Sequence, residues 1–391
     1  MMKKIKLIRT PCSGGSCAAA PARFANCGAN VFFRQALNIL LATILAACSI
    51  EISDATSVAT TPVAVAVTPS APPAWAGLNL AGQLVFTQGV DGIEKLNLAT
   101  GERATLFKPP EEAWLTSATV SPDGKQIALS YAPPPPEGQI QFGYTGLYLM
   151  PADGSALPAL LLERTDPQES YFTPSWSPDG KYLYYAHFIP VLNSETGNTF
   201  RYTVERLALP GGSPELLIES AIWPRLSPDG STLAYLSFDL QTFNNELYVA
   251  DPDGKNSRPI FLPGTFQAVD AHMWTPDGSA IIFSAVGEGP AYQSTPTPAL
   301  SWLDRFLGVQ AADAAEAAHN VPSDWWRVSI DSTGLTRLTK IYDTGMYGGF
   351  SPDGSRLAFL AASGIYVINP DGSGLTPMIP VETLGTLEWI R

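Results

Sequence analysis

Five times along the chain a serine or threonine, a proline, an aspartate and a glycine stand in a row, between an apolar or aromatic residue and an alternating apolar run. The copies are "ATVSPDGKQIALSYA" from Ala118, "PSWSPDGKYLYYAHF" from Pro174, "PRLSPDGSTLAYLSF" from Pro224, "HMWTPDGSAIIFSAV" from His272 and "GGFSPDGSRLAFLAA" from Gly348. Their aspartates, Asp123, Asp179, Asp229, Asp277 and Asp353, lie 56, 50, 48 and 76 residues apart. Proline presets φ at a turn, aspartate accepts hydrogen bonds from nearby backbone amides, and glycine takes the positive φ that closes the turn. The residue before each turn (Val120, Trp176, Leu226, Trp274, Phe350) and the alternating run after it supply one buried face of a sheet. Recurrence at a turn assigns these aspartates a structural role rather than a catalytic or metal-binding one.

Four of the copies are followed by a third strand ending in another turn, "LYLMPADGS", "LYVADPDGK", "WRVSIDSTG" and "IYVINPDGS", and then by a fourth strand such as "PALLLE" or "LTRLT". Four antiparallel strands repeated at this period are the pattern of β-propeller blades. The Trp-Ser-Pro-Asp-Gly turn resembles that of the TolB-like propeller family, over roughly residues 80 to 391. The ends of the chain complete one another: "GQLVFTQ", "IEKLNLATG" and "RATLFK" read as the second to fourth strands of a blade, and the terminal "LGTLEWIR" as its missing first strand. The expected fold is therefore all-β: a six-bladed propeller over 79–391, its first blade closed by the C-terminal strand.

Ahead of the repeats the composition changes. Six basic and no acidic residues precede Cys48, which leaves 17 basic against 36 acidic residues in the remainder, a balance near −19. Such a body repels phosphate backbones, so no nucleic-acid partner is expected. All four cysteines, Cys12, Cys17, Cys27 and Cys48, fall at or before residue 48, which excludes a disulfide framework or a thiolate metal site beyond it. "RQALNILLATILAAC" has the charged, apolar and small-residue order of a secretory signal. Leu45-Ala46-Ala47-Cys48 resembles the lipobox of bacterial lipoproteins, which implies lipidation at Cys48 and a membrane-anchored, extracytoplasmic protein. Residues 1–47 read as the signal, with a start at Val31 as an alternative to the unusual first 30 residues. Residues 48–78, rich in Ser, Thr, Pro, Ala and Val, read as a flexible tether with a reach on the order of 30 Å.

In a propeller the first strand of each blade lines the channel, so the Pro-Asp-Gly turns share one face and the variable loops between second and third strands share the other. The longest such loop is an insertion at 287–323, in which Leu300, Leu303, Phe306 and Leu307 have helical spacing. Phe172, Trp223, Arg225, Asp270, His272, Tyr347 and Glu388 are expected at the loop-side mouth or facing the channel, and form the candidate binding face. Catalytic motifs are absent: no G-x-S-x-G, no H-E-x-x-H, no CxxC and no phosphate-cradling glycine loop. No cofactor or metal is expected. Two functions fit: a non-enzymatic module binding a protein, peptide or glycan, or a channel-mouth hydrolase or lyase using Asp270 and His272.

Overall fold

The computed structural model describes residues 73–391 except 89–90, 139–142, 192–198, 240–244, 287–321 and 381–384. The signal, most of the tether with Cys48, and the Leu300 to Ala318 helix expected in the insertion lie outside the described residues. Within them the chain forms six four-stranded antiparallel blades, a β-propeller.

Blade 1 comprises β1 (Gln83–Thr87), β2 (Ile93–Asn97) and β3 (Arg103–Phe107), and blade 2 comprises β4 (Trp114–Val120), β5 (Gln126–Ala132), β6 (Gly146–Pro151) and β7 (Ala159–Leu162). Blade 3 holds β8 (Ser170–Trp176), β9 (Tyr182–Val191), β10 (Thr199–Ala208) and β11 (Pro214–Glu219); blade 4 holds β12 (Ala221–Leu226), β13 (Leu233–Phe238), β14 (Asn245–Ala250) and β15 (Arg258–Pro259). Blade 5 is β16 (Val269–Trp274), β17 (Ala280–Ala285), β18 (Asp324–Ser329) and β19 (Thr336–Arg337), and blade 6 is β20 (Tyr347–Phe350), β21 (Leu357–Ala361), β22 (Gly364–Ile368) and β23 (Thr376–Ile379). The last strand, β24 (Leu387–Ile390), pairs antiparallel with β1 and completes blade 1, Leu84 facing Trp389 and Phe86 facing Leu387. The chain thereby closes on itself and β1 is paired on both sides.

The five repeated turns share one hydrogen-bond scheme. Each hydroxyl donates to the aspartate two residues on, at 2.6 to 2.7 Å, and accepts the backbone N–H that begins the next strand, as Ser177 does from Tyr182 at 2.9 Å. Each aspartate also accepts a backbone N–H two residues later. These bonds hold the carboxyls of Asp229, Asp277 and Asp353 down at about 2, the first hydroxyl contributing most, and that of Asp179 likewise, with Lys181 contributing most. Asp123 is lowered by Ser121 first. The bonds of these aspartates are thus made within the turn itself.

The tryptophan of the repeat links blades. Trp176 Nε1 donates to the Thr119 carbonyl of blade 2 at 3.2 Å, and Trp274 Nε1 to the Arg225 carbonyl of blade 4 at 3.0 Å. Leu226 and Phe350 stand at the same place in blades 4 and 6 and carry no such donor. The apolar cores lie between neighbouring blades: Ala128, Leu147, Tyr171, Leu183 and Tyr185 join blades 2 and 3, and Leu84, Phe86, Leu360, Val367, Leu387 and Trp389 join blades 6 and 1. Full burial of such side chains contributes about 1.5–3 kcal/mol each.

Two kinds of Asp-Gly turn use glycine for different reasons. Gly124, in a repeat turn, has φ +71° and open space where a Cβ would stand. Gly154, in the turn after a third strand, has φ +73°, but its Cβ would lie 2.7 Å from the Leu106 carbonyl of the preceding blade. Gly124→Ala should therefore cost about 1–2 kcal/mol, the left-handed penalty alone. Gly154→Ala should cost about 1–3 kcal/mol more, because blades 1 and 2 must part to admit the methyl group. Urea unfolding of the two variants measures the difference, and equal losses would refute the close-approach reading.

Candidate functional site

At the loop end of the channel the inner strands are irregular. Pairing of β4, β8, β12 and β16 with their second strands shifts register at Leu115/Ser117, Phe172/Ser175, Ile222/Arg225 and Val269/His272. Inside two of these bulges a non-glycine residue takes left-handed backbone: Thr173 at φ 48° and Trp223 at φ 56°. For a β-branched and a bulky aromatic residue that geometry is strained, and such strain concentrates at ligand clamps and active sites. Each is followed by a proline, Pro174 or Pro224, whose fixed φ and missing N–H suit an unpaired bulge.

The bulges gather side chains from several blades around the axis. Trp223 of blade 4 reaches Tyr347 of blade 6, their ring centroids 5.1 Å apart, and the Arg225 guanidinium lies 5.9 Å over the same tyrosine ring. Glu388 of β24 accepts a hydrogen bond from Thr119 of blade 2 at 3.0 Å. Thr386 Oγ1 joins the strands of blades 1 and 2, accepting from Ala118 N at 2.9 Å and donating to Ala118 O at 2.8 Å. Ser117 Oγ accepts the Thr173 N–H at 3.2 Å. Between these groups remains a cavity of about 10 Å³ lined by Ser117, Thr173, Trp223, Arg225, Tyr347 and Thr386 among others, room for about one water molecule.

The electrostatics follow from burial beside one cation. Burial pushes the Tyr347 phenol well up; Arg225 opposes this, while the charges of Asp270 and Glu388 reinforce it. Glu388 keeps some surface along the channel but is crowded by protein, so burial raises its carboxyl, with Arg225 and Thr119 acting the other way. His272 is 2% exposed. Burial first, and Arg225 second, hold its imidazole down at about 3, so the ring is neutral at physiological pH. Neither of its nitrogens has a well-formed hydrogen bond, the Ala234 carbonyl of blade 4 making only a weak approach.

Of the seven residues expected at this face, the structure brings Trp223, Arg225, Tyr347 and Glu388 together in the channel. Asp270 lies in the bulge of β16, 6% exposed and near enough for its charge to act on Tyr347. Phe172 packs away from the channel, edge-on to Tyr202 at 5.7 Å, and His272 is enclosed between blades 4 and 5. Trp223, Arg225 and Tyr347 stand six, four and six positions before the aspartates of their turns, whereas Phe172 and His272 stand seven and five before theirs, so simple alternation already turns these two away from the channel. Among the described residues no group of three or more His, Cys, Asp or Glu side chains could hold a metal ion.

A polar cluster in blade 3 was not singled out from sequence. His187 Nδ1 lies 2.9 Å from Glu205 Oε1 and Nε2 3.7 Å from Glu169 Oε1, and the ring packs against Tyr171 at 4.3 Å. Glu205 also accepts from Thr203 Oγ1 at 3.0 Å and from Tyr185 at 3.1 Å. Burial works to raise the Glu205 carboxyl, but His187, Thr203 and Tyr185 together bring it below the ordinary range. The available signal was polar residues at positions of "YLYYAHF" and "YTVERL" where a buried blade expects apolar ones.

The opposite face carries the turns and both ends of the described chain. A Cβ on Gly230, Gly278 or Gly354 would stand 3.9, 3.8 or 3.0 Å from Pro178, Pro228 or Pro276 of the preceding turn, so these turns stand side by side. Leu78 to Gly82, Trp389 and Arg391 line a cavity of about 420 Å³ together with Ser351, Asp353 and Arg356 of the blade 6 turn. Chain ends and repeat turns therefore share a face, and the strained bulges lie at the other end of the channel.

No protein-family model matches the chain. An uncharacterised protein of Agrobacterium fabrum is 23% identical over 214 aligned residues, covering 42% of this chain and 67% of that protein. Among solved structures, TolB from Acinetobacter baumannii is similar with a TM-score of 0.52 and 14% identity, over 79% of this chain and 66% of that one. A chain of the nidogen/laminin complex is similar with a TM-score of 0.54 and 10% identity, over 80% of this chain and 99% of that one. At these identities the likeness is one of fold.

Proposed function

We propose that the protein is a membrane-tethered, extracytoplasmic lipoprotein whose propeller docks a protein or peptide at the loop-side channel mouth, without catalysing a reaction. The observation that carries the docking site is the convergence of Trp223, Arg225 and Tyr347 beneath two strained bulges. Tryptophan, tyrosine and arginine around a small central cavity are the residue types that binding hot spots favour. The similar propeller of the nidogen/laminin complex belongs to a protein–protein assembly, which supports the reading by analogy of fold alone. The buried, neutral His272 stands apart from the cavity and is poorly placed to serve as an acid or base there, which weighs against the enzyme reading.

The tether is read from the signal-like segment and Cys48. Because the described chain begins on the turn face, a tether there directs the mouth away from the membrane. The test uses the full chain in a bacterial host. Chemical cross-linking should capture one partner that disappears with Trp223→Ala or Tyr347→Leu in variants that circular dichroism shows to be folded at the assay temperature, and Cys48→Ser should move the protein out of the membrane fraction. Capture indifferent to both mouth variants would overturn the docking site, and unchanged fractionation of Cys48→Ser would overturn the anchor.

A further inference from the structure

Arg225 is the one cation among the described channel-facing side chains, in a body whose balance is near −19. A guanidinium presents five N–H donors in a fixed fork. Its contacts are the ring and hydroxyl of Tyr347, and no carboxylate of the described residues forms an ion pair with it. Most of the fork is therefore uncommitted. Beside it, on the same cavity, Thr173 Oγ1 is buried without a hydrogen-bond partner. A buried hydroxyl left in that state is costly, and here the left-handed backbone of Thr173 fixes it at the cavity wall. The tryptophan at the matching position of blade 4, Trp223, is held by the same kind of bulge and supplies an apolar wall.

Donors from a cation and from a hydroxyl, converging on a space of about 10 Å³, select a small group that only accepts. Building on the docking mouth, we propose that this cavity seats an oxygen of a single carboxylate of a protein partner, held by the Arg225 guanidinium and the Thr173 hydroxyl. The space, about one water molecule in size, takes one oxygen of the carboxylate of an aspartate or glutamate side chain or of a chain end, and excludes the ring of a sugar acid. Ionised acceptors form the stronger class of hydrogen bond, and a guanidinium fork matches carboxylate geometry. Glu388, across the channel and bonded to Thr119, competes for the same cation and sets an upper limit on affinity.

The test titrates the full chain with Ac-Gly-Glu-Gly-amide, its glutamine counterpart, triglycine with a free C-terminus and digalacturonate, followed by ligand-observed NMR. The glutamate peptide should bind about 10- to 100-fold more tightly than the glutamine peptide, the value of charge-assisted hydrogen bonds. The free C-terminus distinguishes a chain end from a side chain as the source. Arg225→Gln should remove that preference, Arg225→Lys should keep part of it, and Thr173→Val should weaken the glutamate peptide about fivefold. Glu388→Gln should tighten it. Equal binding of glutamate and glutamine peptides, binding of digalacturonate alone, or an unchanged preference in a folded Arg225→Gln variant would each overturn the carboxylate seat. A cross-linked partner lost with Trp223→Ala but retained with Arg225→Gln would overturn the seat while leaving the docking mouth standing.

Discussion

Removing residues 385–391 abolishes cooperative unfolding. Without β24, Leu84, Val85 and Phe86 lose their antiparallel partners, and β1 becomes an open sheet edge. The burial of Leu387 and Trp389 is lost, at about 1.5–3 kcal/mol each, together with the Trp389 Nε1 bond to the Ala81 carbonyl at 2.9 Å and the Thr386 bonds to Ala118. That sum is a large part of the roughly 5–15 kcal/mol available to a whole domain. Differential scanning calorimetry should show a broadened or missing transition with aggregation. A truncated chain that melts like the intact one would show that the ring does not depend on its last strand.

Substituting Glu205 by alanine costs about 3–5 kcal/mol. The change leaves His187 Nδ1, Thr203 Oγ1 and the Tyr185 hydroxyl without their common acceptor in a buried site. Glu205→Gln, which keeps one acceptor oxygen, should lose less. The folded-state carboxyl lies below its ordinary range, so its contribution is complete above the unfolded value of about 4.3 and fades as the pH falls through the folded value. Urea midpoints measured from pH 7 down to pH 3 should fall more steeply for the native chain than for Glu205→Gln. Parallel curves, or a Glu205→Ala variant as stable as the native chain, would contradict this account.

The propeller was legible in the sequence because its signal is redundant: five copies of one turn, each tied to its strand by local bonds such as Ser177 to Asp179 and Tyr182 N to Ser177. The pairing of β24 with β1 was legible from an orphan strand at one end and a three-strand blade at the other. The mouth was legible only in part. Trp223, Arg225 and Tyr347 stand an even number of positions before the aspartates of their turns, and Phe172 and His272 an odd number, so counting back from the turns separates the two sets. The cluster of Glu169, His187 and Glu205 depends on register across three strands, His187 pairing with Tyr171 on one side and Thr203 on the other. Residues 16 to 18 apart carry no mark of such pairing in a single sequence.

The tryptophan links between blades are not spaced evenly. Blade 3 is fastened to blade 2 through Trp176 and blade 5 to blade 4 through Trp274, whereas Leu226 leaves the joint between blades 3 and 4 without a tryptophan, and Tyr184 and Arg206 of blade 3 donate there to the Pro252 carbonyl of blade 4 instead. Thr173 stands on one side of that joint, held back toward blade 2 by Ser117, and Trp223 and Arg225 stand on the other, with the Arg225 carbonyl gripped from blade 5. The small cavity therefore straddles a seam between two stapled pairs. The spacing of its two walls is therefore set by the Tyr184 and Arg206 bonds to Pro252 and the apolar cluster behind them, not by either tryptophan bond.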